Sequence, residues 1–154
     1  MNALSSHAPI HRGTAVAAGE SIYVRIGRLL DLPIGTESDA VRVARDGVPV
    51  NIFSTFVTKS GLRAHAVAPA STLRRRLAKA ERLTPSESER LLRLARVYAE
   101  AVELFGDETA ARAWLNKSEE FVVGEPAITP FELAETDTGA RLVESLIGRT
   151  AYGF

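Results

Sequence analysis

The chain has 154 residues, no cysteine, and 19 Lys+Arg against 19 Asp+Glu. Its 45% hydrophobic and 25% charged content exclude a disordered chain. The longest stretch free of charge, Gly47 to Thr58, is too short to span a membrane, and the lack of cysteine excludes a disulfide framework or a thiolate zinc site.

The zero net charge conceals a division. Residues 1–83 carry 12 Lys+Arg against 6 Asp+Glu, a balance of +6, and residues 84–154 carry 7 against 13, a balance of −6. Such asymmetry points to two surfaces with different partners.

In chain order, residues 1–20 are rich in Ala, Ser, His and Gly without apolar periodicity, and read as a mobile tail. They show no basic start followed by an apolar run, so a secretory leader is not expected and a cytoplasmic location is. From Ser21 to Leu30, Ile22, Ile26, Leu29 and Leu30 repeat at helical spacing, while Ile22, Val24 and Ile26 also alternate at strand spacing. Pro33 to Thr36 is a turn. Ser38 is expected to cap a short helix ending at Gly47, with Val41 and Ala44 inward and Arg42 and Arg45 outward. Pro49 suits a first helical position, and Ile52, Phe53, Phe56 and Val57 form one stripe on a helix stopping near Gly61. A turn of helix, Leu62 to Val67, precedes Pro69. A further helix then runs from Ala70 or Ser71 to about Ala80, with Leu73 and Leu77 buried.

The second half has clearer punctuation. Thr84-Pro85-Ser86-Glu87 is a capping box with proline at the first helical position. The helix it starts continues to Phe105, stops at Gly106, and would be about 30 Å long. Its core stripe is Leu91, Leu94, Ala95, Tyr98, Ala101, Val102 and Phe105. Asp107 caps a shorter helix ending in Trp114-Leu115, and Trp114 reads as a core cap rather than an interface anchor. Asn116 to Ile128 is a loop. Thr129-Pro130-Phe131-Glu132 repeats the capping box, and Thr136 or Asp137 starts a last helix bearing Leu142, Val143, Leu146 and Ile147. Gly148 is expected to end that helix and release Arg149 to Phe154.

Catalytic constellations are not visible. His7 and His11 stand four apart but have no third ligand nearby, so no metal is expected. His65 has no evident nucleophile or acid partner, and neither standard glycine-rich phosphate loop occurs. No cofactor is expected either, and a binding protein rather than an enzyme is the reading.

The segment from Val50 to Ala80 has the outline of a helix-turn-helix, whose last helix would enter the major groove of DNA. Candidate DNA contacts are Ser71, Thr72, Arg74, Arg75, Arg76 and Lys79. Arginine near the helix start can grip guanine with two bonds, and basic residues farther along would meet phosphate. The competing reading is an amphipathic helix whose basic face pairs with carboxylates of the second half.

Three stretches give the chain a family likeness. These are "RLTPSESERLLRLARVYAEAVELFGDETAARAWL" (82–115), "TPFELAETDTGARLVESLIGRTAYGF" (129–154) and "PASTLRRR" (69–76). Over roughly residues 47–154 the chain resembles antitoxins of the Xre/MbcA/ParS type, which neutralise RES-domain toxins. The loop from Lys117 to Ile128 is longer and more acidic than the family's usual link, and Phe131 and Ala134 stand where leucines are commoner.

The resemblance implies an all-α fold, with an N-terminal helix-turn-helix (Xre/Cro-like) domain followed by a small C-terminal helical toxin-binding domain. It also implies a homodimer, a higher toxin–antitoxin complex, a RES-domain partner that degrades NAD, and repression of the chain's own operon at operator DNA. With it, the chain divides into a tail (1–20), a DNA-binding and dimerising part (21–83), and a toxin-binding part (84–154). Arg149, Tyr152, Gly153 and Phe154 become the candidate toxin contacts. An arginine fork suits an anion-binding cleft, and aromatic residues are enriched at binding hot spots. The alternative is a helix-turn-helix transcriptional regulator whose C-terminal part binds a ligand or dimerises.

Overall fold

The computed structural model describes residues 19–152, with side chains to Thr150. The proposed tail therefore lies outside the described residues except for Gly19 and Glu20, and so do His7 and His11. The described residues form eight α-helices and one 3₁₀ turn joined by turns and loops, with isolated bridges but no strand.

The ambiguous first segment is a helix, α1 (Ile22–Leu30). Ser21 caps it by accepting from the Tyr23 N–H at 3.2 Å, and Ile26 and Leu30 are buried. A Cβ on Gly27 would sit 2.2 Å from the Ile34 carbonyl oxygen. Glycine is what lets the turn after α1 fold back against it.

Helix α2 (Glu37–Asp46) starts two residues earlier than the Ser38 cap would allow. Thr36 is the cap: its hydroxyl accepts from the Asp39 N–H at 3.1 Å, and the Asp39 carboxylate accepts from the Thr36 N–H at 3.0 Å. The buried face is Ala40, Val43 and Ala44. Val41, expected inside, is 47% exposed, because it lies about 100° round the helix from Ala40.

Helix α3 (Val50–Ser60) buries Phe53 and Phe56 and ends at Gly61 with φ of +71°. Pro49 is its N-cap, one position before the one its ring geometry suggests. A 3₁₀ turn (Ala64–Ala66) and Pro69 lead into α4 (Ala70–Ala78). Here Leu73 is buried but Leu77 is 47% exposed, which corrects the expected inward pair. Leu77 lines the open end of a groove of about 170 Å³ whose floor includes Val50, Phe53 and Leu73. Helix α4 ends one residue later, at Ala78. The exit is fixed by a short antiparallel bridge. Leu83 N–H donates to the Val48 carbonyl at 2.8 Å, and Arg82 donates to the Gly47 carbonyl at 2.8 Å.

Helix α5 (Pro85–Phe105) begins with the expected Thr84–Glu87 capping box and ends at Gly106, φ +65°. Leu91, Leu94, Ala95, Val97, Tyr98 and Ala101 are buried along it. Helices α1, α2, α6 (Glu108–Leu115) and α8 (Asp137–Tyr152) all pack on α5. The Tyr98 ring meets Phe56 edge-on at 5.7 Å between centroids and stacks with Phe131 of α7 (Pro130–Leu133) at 6.5 Å. Thus α5 joins aromatic side chains from both ends of the sequence. Trp114 packs on the core beside Phe105, with centroids 5.9 Å apart.

Helix α8 is capped by Thr136, whose hydroxyl accepts from Gly139 N–H at 3.0 Å. It does not stop at Gly148 but continues to Tyr152. A glycine inside a helix costs about 1 kcal/mol relative to alanine. That is too little to terminate one when the glycine does not take the left-handed backbone that Gly61 and Gly106 adopt, and the Thr150 hydroxyl donates to the Leu146 carbonyl at 2.9 Å.

Candidate functional site

Two surfaces hold the residues singled out by the sequence. On α4, Ser71, Arg74 and Arg75 are exposed, as is Lys79 at the C-cap, and their spacing places Ser71 and Arg75 along one line of the helix. Thr72 is half-buried beside them. Pro69 gives this helix no side-chain cap, so no side chain occupies its first amides.

Arg76 stands apart from this set. Its guanidinium pairs with the Glu87 carboxylate, and the two side chains are only 13% and 12% exposed. Burial opposes the charge on Glu87. The Thr84 N–H at 2.8 Å, the Arg76 guanidinium and the Thr84 hydroxyl outweigh it and hold the carboxyl below its ordinary range. Arg76 therefore fastens α4 to the start of α5 rather than presenting a free charge. The competing reading, in which basic residues of this helix pair with carboxylates of the second half, thus holds for one arginine of the run. A signal for this exists in the sequence, since Arg76 lies three residues after Leu73 on the inward side.

At the other end, Arg149 is exposed on α8. Tyr152 is the last residue of that helix, its side chain is not described, and Gly153 and Phe154 lie outside the described residues. Arg149 therefore projects from a helix, not from a released tail.

A cleft of about 430 Å³ opens between α1, α2, α5 and α8 and includes Tyr23, Arg93, Arg96, Arg141 and Glu144. Its charges are largely spoken for. Arg96 contacts Glu144 at 3.2 Å and Glu100 at 3.4 Å, Arg141 contacts Asp137 at 3.1 Å, and Arg93 donates to the Glu135 carbonyl at 3.0 Å. Burial and the neighbouring Glu144 push Glu100 upward in spite of Arg96. Among the described residues, no group of three or more His, Asp or Glu side chains is arranged to hold a metal ion, and no helix is long and apolar enough to cross a membrane.

Comparison with known proteins bears on both surfaces. Residues 39–96 match the antitoxin Xre-like helix-turn-helix domain, and residues 100–153 match the antitoxin Xre/MbcA/ParS C-terminal toxin-binding domain. Antitoxin Xre of Yersinia enterocolitica is 37% identical over 105 residues, covering 68% of this chain and 68% of its own. Antitoxin Xre of Photorhabdus laumondii is 32% identical over 133 residues, covering 82% of this chain and 87% of its own. Antitoxin Xre of Pseudomonas putida is 34% identical over 88 residues, 57% of this chain and 54% of its own.

Proposed function

Because the chain belongs to the Xre antitoxin family, with a helix-turn-helix domain followed by a toxin-binding domain, we propose that it neutralises a RES-domain toxin that degrades NAD. It does so by covering the toxin's active-site cleft, and it represses its own operon through α4. The observation that carries the reading is the match of residues 100–153 to a toxin-binding domain. Arg149 stands exposed in the last turns of that segment, where its fork of donors can enter a cleft built for phosphates. Tyr152, Gly153 and Phe154 follow it and complete the contact. The acidic balance of residues 84–154 complements an electropositive cleft and speeds association.

Operator contacts fall to Ser71, Thr72, Arg74, Arg75 and Lys79, with Arg76 holding the helix in place. The working division is residues 21–83 for DNA and dimerisation and residues 84–154 for toxin. A homodimer is supported by the exposed Leu77 beside an apolar groove.

The test is protection. The full chain, coexpressed with the toxin encoded beside it, should copurify with that toxin in fixed ratio and restore growth. A chain ending at Gly148 should remain folded and fail to protect, and full protection by it would remove the tail from the mechanism. Binding to the promoter region of its own gene should weaken steeply with salt. R74A or R75A should each lower that salt slope by about one where the arginine meets a phosphate. An absence of binding at low salt would refute the DNA role.

A further inference from the structure

The link between α6 and α7 is closed at its base and apolar at its tip. At the base, Glu119 and Ile128 exchange both backbone bonds, at 3.1 and 3.0 Å. Nearer the tip, the Glu125 N–H donates to the Val122 carbonyl at 3.0 Å, and the Gly124 N–H donates to a Glu120 carboxylate oxygen at 3.2 Å. Gly124 has φ of +83°, the conformation the turn requires of it. The loop thus has a fixed shape that needs no apolar side chain to maintain it.

Yet Phe121, Val122 and Val123 stand together there. Val123 is 96% exposed and Val122 41%. Phe121 is partly exposed and is not among the side chains packed on the core. Single exposed apolar residues are ordinary, but a run of three on a preformed turn is a contact surface waiting for a partner. Its surroundings state the chemistry of that partner. Glu119, Glu120 and Glu125 flank the run, and the nearby cation Lys117 is paired with Glu119 at 3.3 Å. An apolar anchor inside a negative rim fits an apolar pocket inside a positive one. Because the turn is already ordered, little conformational entropy is lost on docking.

We propose that residues 121–125 insert into an apolar pocket of the toxin, rimmed by Lys or Arg, as a contact additional to Arg149 and the chain end. The inference rests on the toxin-binding reading, and the loop lies inside the segment that matches the toxin-binding domain.

The experiment titrates the full chain and two variants, V122S/V123S and E125K, into the purified product of the adjacent toxin gene, by calorimetry and stopped flow. V122S/V123S should bind about tenfold more weakly or worse and melt at the wild-type temperature, since neither valine belongs to the core. E125K should associate several-fold more slowly at low salt, a difference that closes as salt is raised. If the wild type binds and V122S/V123S binds within about twofold of it, the loop proposal is overturned while the proposed function stands. If the wild type does not bind, both fall. A lowered melting temperature for V122S/V123S, or self-association of the wild type that this variant abolishes, would assign the valines to the fold or to a second copy and overturn the proposal.

Discussion

Helices α4 and α5 are neighbours in the chain and opposites in construction. Helix α5 has a reciprocal capping box, a left-handed glycine stop and a buried stripe along its length. Helix α4 has neither a side-chain cap nor a glycine stop, and Leu73 is its one buried residue. What holds α4 is a small set of fastenings: Leu73, the Arg76–Glu87 pair, and the bridge joining residues 81–83 to Val48 and Val50. The contrast separates a helix that makes the core from one the core displays. A displayed helix keeps most of its side chains exposed, and here these include Ser71, Arg74, Arg75 and Leu77.

The comparison can be broken first on α5. Leu94→Ala removes a side chain with no exposure, at a cost of about 3 to 5 kcal/mol, and thermal unfolding should show loss of most of the cooperative transition. Leu73→Ala should cost about 2 kcal/mol and reduce DNA affinity together with stability, because Leu73 is the buried side chain of α4. If DNA affinity fell with no change in melting, something other than Leu73 would seat α4.

Glu87→Gln should cost about 1 to 2 kcal/mol, combining a weakened cap with the loss of the Arg76 pair. Its pH dependence has a definite sign. The folded-state carboxyl is held below the ordinary value of 4.5, so its contribution is present above that value and lost as pH falls through the folded one. Wild-type stability should therefore fall below pH 4.5 more steeply than that of E87Q, and parallel curves would sink the assignment. The smallest effect belongs to Leu77→Ser, within about 0.5 kcal/mol in chemical denaturation, since that side chain is already half in water. A dilution series of this variant, followed by light scattering, would sharpen the dimer proposal: if the groove beside Leu77 joins two copies, the dimer should dissociate at a higher concentration than the wild type.

What is legible in the sequence is mostly local. The capping boxes at Thr84 and Thr129 each lie within four residues, and the stops at Gly61 and Gly106 each satisfy one backbone requirement. Patterns of this kind need no knowledge of the rest of the chain. Gly148 carries the same residue type but ends nothing, because a glycine stop requires the left-handed backbone that Gly61 and Gly106 adopt and Gly148 does not. Periodicity misplaces Val41 and Leu77 because it names a stripe, whereas burial also requires a neighbour on that side. At the candidate surfaces, the basic run is legible as charge. The division of labour within it, with Arg76 inward and Arg74 and Arg75 outward, depends on where α5 begins. The exposed Val122–Val123 tip leaves no periodic signal at all.

Helix α5 has one more consequence. It crosses from the segment matching the helix-turn-helix domain into the segment matching the toxin-binding domain, and α1, α2, α6 and α8 all lean on it. The two matched segments are therefore not beads that recombination can restring at a linker. A crossover within α5 would leave each parental half with part of a spine, and α1 or α8 would meet a foreign face. Exchanging either matched segment by itself would therefore cut through a support that helices from both ends of the described chain share.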